Sequence, residues 1–207
     1  MLSRIRTVGS AVERFVDIEE VTGSIPVRST ISVEILSPRI YTRRMAISTS
    51  RLLTHMAWAN QRVYSSVQAL PDMALDSFIV NEDWTVKHIL HHIVAGAEWN
   101  LYCLKGGDLR KFADPSNMSE LAALSRTLKE VDAELIKLGE LDDEMIVINF
   151  QGEIEQNLRS TMISQAIHHA TEHRSQLVGA LEYRGFNAII LDDIDLWQFE
   201  NLDTRPA

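Results

Sequence analysis

Four segments of the chain repeat apolar residues at three- and four-residue steps, the spacing that lines them up on one face of an α-helix. They cover about residues 51–70, 84–105, 119–138 and 160–183. Helices of this length, joined by short connections, must bury their apolar faces against one another. The pattern therefore predicts an all-α fold, a four-helix bundle.

Residues 145–158 interrupt this helical pattern. The run from Ile146 to Gly152 is typical of a short strand followed by a turn. We expect a small β-hairpin before the last helix. Elsewhere Pro71, the pair Gly106-Gly107, and Gly185 are expected to end helices.

Residues 1–44 show neither helical nor strand periodicity, so we place a boundary near Met45 and assign residues 45–207 to the bundle. Seven arginines stand in this first segment, but five acidic residues argue against a transit peptide, and it lacks the apolar core of a secretion signal. Two interpretations stay open. The segment is a genuine N-terminal extension, or the native start is Met45, since codons for residues 23–29 can resemble part of a bacterial tRNA gene.

Charge and composition narrow the class of protein. Residues 45–207 carry 24 acidic against 13 basic side chains, so we expect no nucleic-acid partner. No apolar run reaches the roughly 20 residues of a membrane helix, so we expect no membrane partner. Cys103 is the single cysteine and excludes an intramolecular disulfide, which favours a cytoplasmic location.

Six of the seven histidines lie in the second and fourth helical segments. His169 and His173 are four residues apart, so both rings project from one helix face and can share a metal ion. A third imidazole from the second segment would complete a reactive site with an open position. The spacing does not choose that residue, because His91 and His92 both lie off the centre of the apolar stripe, His92 further than His91.

Two motifs resemble the DinB/YfiT-like family. The stretch from Trp84-Thr85 to His92 resembles the family's second-helix signature, in which Trp-Ser/Thr precedes a metal-binding histidine by eight residues. The stretch from His169 to Gln176 resembles its His-x-x-x-His-Arg-x-Gln element. The resemblance covers about residues 48–200 and includes three shorter matches: Trp58-Ala59-Asn60, Leu70-Pro71, and Asn149-Phe150-Gln151-Gly152.

The resemblance implies that His92, His169 and His173 hold a divalent metal ion, which would be Zn, Ni, Fe or Mn. His91 is the alternative to His92. Two positions depart from the family pattern: Ser175 stands where glycine is common, and Glu98 is one residue out of register with the expected acidic position.

Several neighbouring residues have two interpretations. Glu172 and Gln176 would orient an imidazole or accept a substrate proton, or else belong to a solvated helix face. Arg174 would bind a carboxylate or thiolate, or form a surface ion pair. We expect the other aromatic and titratable residues to be supporting, surface or core residues rather than ligands: His55, His88, His168, Trp58, Trp84, Trp99 and Cys103.

The resemblance also implies function. It predicts a metal-dependent enzyme acting on a small molecule, either a hydrolase or a transferase of a low-molecular-weight thiol. The alternative is a non-catalytic metal-binding protein of the stress response, or a small-molecule sensor. An apolar face of the bundle would allow a homodimer.

Overall fold

The structure is a computed structural model that describes residues 48–204. The predictions for residues 1–44 lie outside that part of the chain. Four long helices confirm the predicted bundle: α1, Thr49–Gln68; α2, Val86–Lys105; α3, Met118–Leu138; and α4, Arg159–Tyr183. The predicted hairpin is present as β1, Met145–Phe150, and β2, Glu153–Leu158. A short fifth helix, α5, Leu196–Thr204, follows.

Side-chain caps begin three of the long helices. Asn117, a residue whose type favours this position, accepts a hydrogen bond from the backbone of Glu120 at the start of α3. Thr85 accepts one from the backbone of His88, so α2 begins at Val86. The helix therefore starts two residues after the expected position of about 84, because the cap residue has an extended backbone and leaves Trp84 outside the helix.

The four long helices surround one apolar core. Helices α1 and α2 each pack mainly against α3 and α4, so these two consecutive helices lie diagonally opposite each other. The side chains at the centre are fully buried, and the largest include Tyr64, Leu53, Leu90, Leu128 and Leu177. Tyr64 Oη donates a 2.5 Å hydrogen bond to the carbonyl of Leu90, which satisfies the buried hydroxyl and ties α1 to α2.

The hairpin pairs Met145 with Leu158 at its open end and Phe150 with Glu153 at its turn. Gln151 and Gly152 both have positive φ, as a two-residue hairpin turn with the right twist requires. Its Ile148 side chain is buried, and β1 packs against α2.

Helix α5 was not predicted, because nine residues are too few for a periodic pattern to stand out. It lies against α1, where Arg51 and Glu200 form a 2.9 Å ion pair and Phe199 packs on Trp58. Within the described part of the chain, no helix combines the length and the apolar character of a membrane span.

Candidate metal centre

Three imidazole rings meet where α2 packs against α4. His92 comes from α2, and His169 and His173 come from successive turns of α4. Nε2 of His169 lies 3.0 Å from Nε2 of His92, and the His173 ring centroid is 4.5 Å from that of His92. One ligand atom from each residue lies within 4.8 Å of the others. The structure thus brings together the three residues that the family resemblance implied.

The spacing of these nitrogen atoms fits a metal ion. Two nitrogens bound to tetrahedral Zn²⁺ at about 2.0–2.1 Å would lie roughly 3.3 Å apart, close to the observed 3.0 Å. Among residues 48–204, no fourth His, Cys or carboxylate joins this group. The three side chains could therefore hold a divalent ion and leave a coordination position for another molecule.

His91 points to a different neighbour. Its Nδ1 lies 2.7 Å from Oδ1 of Asp114, in the connection between α2 and α3. Adjacent residues on a helix project about 100° apart, so only one of His91 and His92 can face α4. The apolar periodicity did not choose between His91 and His92, because the three rings meet at the edge of the α2–α4 contact rather than at the core.

The electrostatic setting keeps two of the rings neutral. Burial, helped by the neighbouring His173 and His92, lowers the pKa of His169 to about 4. Burial also lowers the pKa of His92, with further contributions from His173, His88 and His91. Since only an unprotonated imidazole can bind a metal, both side chains are in the ligating form at neutral pH.

Gln176 and Trp84 orient the third ring. Gln176 Oε1 accepts hydrogen bonds from Nδ1 of His173, at 2.8 Å, and from Nε1 of Trp84, at 3.1 Å. The indole N–H can only donate, so the amide oxygen is the shared acceptor and Nδ1 of His173 carries the proton. This tautomer leaves Nε2 of His173 with its lone pair available. Trp84 also forms one wall, with ring centroids 5.2 Å from His92 and 5.6 Å from His173.

Gly96 also belongs to this centre, although the motifs in the sequence did not indicate it. A Cβ atom at this position of α2 would lie 2.3 Å from Cε1 of His169, far inside a normal contact. The missing side chain thus provides the space for the imidazole. The sequence offers one indication of this role. Glycine inside a helix lowers stability by about 1 kcal/mol relative to alanine, so a glycine one turn after His92 calls for a reason.

Arg174 lies in the interior and is not a surface ion pair. Its Nη1 donates to Oδ1 of Asn60 at 2.7 Å and its Nη2 donates to Oγ1 of Thr171 at 2.9 Å. Asn60 Nδ2 in turn donates to Oδ2 of the buried Asp132 at 3.0 Å. Glu172, by contrast, is exposed and forms no hydrogen bond or ion pair with the described residues.

The remaining candidates lie away from the three rings, except His88. His55 donates through Nε2 to the carbonyl of Ile194 at 2.9 Å, and His168 is exposed. Cys103 is buried as expected, and burial raises the pKa of its thiol to about 11, which disfavours a nucleophilic thiolate. Trp58 packs on Phe199 and Trp99 on Phe150, whereas the His88 ring stacks 6.4 Å from His92.

Comparison with known proteins gives one match. A sequence model of the DinB family matches residues 45–200, well over half of the chain. The matched stretch contains all four long helices, the hairpin and the three converging histidines. No curated protein and no solved structure matches the chain.

Proposed function

The chain belongs to the DinB family, and from this premise we propose that it is a divalent-metal-dependent enzyme whose ion is held by His92, His169 and His173. The observation that carries the proposal is the convergence of the three imidazoles within 4.8 Å. Three nitrogen ligands with a free position are typical of catalytic rather than structural metal sites. The donor set suits Zn, Ni or Fe, and Mn is a further option.

A metal ion bound there would lower the pKa of a bound water or thiol and so supply a nucleophile at neutral pH. The protein's part is to present neutral imidazoles and to hold them in place. The hydrogen bond from His173 to Gln176 fixes one of them, and the Trp84 ring packs against two of them. Glu172 is the nearest exposed carboxylate in sequence, and its role as a proton acceptor stays a prediction.

An apolar cavity of about 370 Å³ lies beside this centre. Trp84 and Gln176 line it together with Ile79, Val80, Ile89 and Ala180. A cavity of this size suits a small molecule, and its walls favour an apolar group. We therefore expect the substrate to have an apolar portion that lies against Trp84 while its reactive end reaches the ion.

Metal content tests the first part of the proposal. Purified protein should carry one divalent ion at this centre, and His169→Ala should lose it. The matched control is His168→Ala, which removes the adjacent, exposed imidazole and should leave the ion bound. A chain that binds no divalent metal, or a His169→Ala variant that behaves like wild type, would contradict the proposal.

The reaction requires a second experiment, because hydrolysis and thiol transfer both use a metal-bound nucleophile. The loaded protein should be assayed with activated esters and amides, and separately with low-molecular-weight thiols plus an aromatic electrophile. Turnover that disappears in His169→Ala identifies the reaction class. A loaded protein without turnover in either assay would favour the non-catalytic alternative, a metal-binding stress-response protein or a small-molecule sensor.

A further inference from the structure

A second group of metal-ligand side chains lies next to the first and shares no residue with it. His88 and His91 project from α2 towards Asp114 in the connection to α3. Nδ1 of His91 is 2.7 Å from Oδ1 of Asp114, and Nδ1 of His88 is 3.2 Å from Oδ2. One ligand atom from each of the three residues lies within 4.8 Å of the others.

Direct hydrogen bonds account for only part of this arrangement. The buried Nδ1 atom of His91 has no hydrogen-bond partner, because its short contact with Asp114 lacks hydrogen-bond geometry. Nδ1 of His88 divides its contact between both carboxylate oxygens at 3.3 and 3.2 Å, longer than a good charge-assisted bond. Nδ1 of His91 therefore stays without a hydrogen bond although it lies next to a carboxylate and a second imidazole, which is costly unless a further group binds between them.

We propose that His88, His91 and Asp114 form a second site for a divalent first-row metal ion. Two imidazole nitrogens and one carboxylate oxygen are a common ligand set for Zn²⁺, Fe²⁺ and Mn²⁺. The side chains are 34%, 22% and 35% exposed, so an ion can reach them from solvent while retaining water on its open positions. This proposal uses none of the ligands of the proposed function.

The loop that carries Asp114 is already held against α2. Arg110 donates from Nε to Oε1 of Glu98 at 2.9 Å and from Nη2 to Oε2 at 2.6 Å. The Glu98 side chain is only 5% exposed, so this two-point contact is strong. Pro115 favours an extended backbone at Asp114. The carboxylate is thus positioned before any ion binds, which lowers the entropic cost of binding.

The two groups are close enough to influence each other. The rings of His88 and His92 stack with centroids 6.4 Å apart, and the indole of Trp84 contacts both, at 5.1 and 5.2 Å. Since they share no ligand, each ion would have its own set of side chains. A second cation here would add positive charge beside the first centre and favour an anionic nucleophile there.

Calorimetric titration of the metal-stripped full chain with Zn²⁺ tests the second site. Wild type should bind two ions per chain, and Asp114→Asn and His91→Ala should each bind one. The double variant His169→Ala, His173→Ala should also retain one. Asp108→Asn and His168→Ala change exposed side chains outside both groups and should still bind two. Circular dichroism of each variant verifies that the helices are intact.

The outcomes separate this inference from the proposed function. A single ion that His169→Ala removes and Asp114→Asn leaves bound would overturn the second site and keep the first. A single ion that Asp114→Asn removes and His169→Ala leaves bound would support the second site and overturn the first. If wild type binds no Zn²⁺, both proposals are wrong.

Discussion

At the scale of single residues, His169 owes its place to the glycine opposite it. The Gly96→Ala change would push a methyl group to 2.3 Å from Cε1 of the ring, so the imidazole must move. We expect metal affinity to fall by about tenfold or more, as when ligand orientation is lost. Helicity should not suffer, because alanine is the better helix former by about 1 kcal/mol. Calorimetric titration with Zn²⁺ measures the affinity.

Gly179 provides the matched control for this prediction. It lies inside α4, but a Cβ atom there would meet Cδ1 of Ile79 at 3.4 Å, an ordinary contact. Gly179→Ala should therefore bind Zn²⁺ like wild type. Equal affinities for Gly96→Ala and Gly179→Ala would show that the space over Gly96 does not hold the His169 ring.

A second prediction at this scale concerns Gln176. Replacing it with leucine removes the acceptor that fixes the tautomer of His173 and holds the indole of Trp84. We expect a loss of about 10–100-fold in metal affinity, with the fold unchanged. Gln165→Leu, on an exposed position of the same helix, is the control. An unchanged affinity in Gln176→Leu would mean that solvent orients the ring equally well.

At the scale of elements, a buried polar chain links α1, α3 and α4. Asn60 bridges Arg174 and Asp132, and Arg174 directly follows the candidate ligand His173. Burial raises the pKa of Asp132 from 3.8 to about 7, although Asn60 and Arg174 oppose the shift. Buried hydrogen bonds form only with particular partners and in particular directions. This polar network therefore sets the rotation of α4 about its axis.

The raised pKa of Asp132 predicts a pH dependence of stability. Between about pH 4 and 7 the folded chain holds a proton at Asp132 that the unfolded chain has lost, so this group makes the free energy of unfolding fall as pH rises. The slope approaches about 1.4 kcal/mol per pH unit for one proton. Asp132→Asn should lack this contribution. Urea unfolding of wild type and variant from pH 4.5 to 7.5 measures the difference, and parallel profiles would contradict it.

The connection between α2 and α3 supplies another prediction. Arg110→Met would leave the Glu98 carboxylate, only 5% exposed, without its partner. We expect the free energy of unfolding to fall by about 2–3 kcal/mol. This is less than the loss for a fully buried ion pair, because Arg110 is 44% exposed. Backbone amides of residues 106–114 should exchange faster with deuterium. Lys111→Met, at an exposed position with no described partner, should change neither stability nor exchange.

At the scale of the whole molecule, the family match and both groups of histidines lie within residues 45–200. The hypothesis that the native chain starts at Met45 stays a prediction. Mass spectrometry of the protein from its native source decides between the two interpretations: an N-terminus at Met45, or at the residue after it, would support this start. Any peptide from residues 1–44 would contradict this and favour a genuine extension.

The sequence by itself determined the four long helices and the hairpin, but not α5. Apolar spacing located α1, α3 and α4 to within about two residues, since burying one helix face needs a regular pattern. Gln151-Gly152 signalled the hairpin turn, because positive φ restricts which residues can occupy it. These features depend on neighbours along the chain, and the sequence records them directly.

Only the tertiary structure decided which side chains meet. Periodicity did not choose between His91 and His92, and only the family resemblance pointed to His92. In the structure, packing of α2 against α4 turns the His92 ring towards His169, while His91 turns towards Asp114. Neither the space over Gly96 nor the burial of Arg174 could be predicted from local pattern. These relations join residues more than 20 positions apart, and helix rotation and packing distance fix them. The spacing of residues along the chain predicts neither the rotation of a helix nor its packing distance.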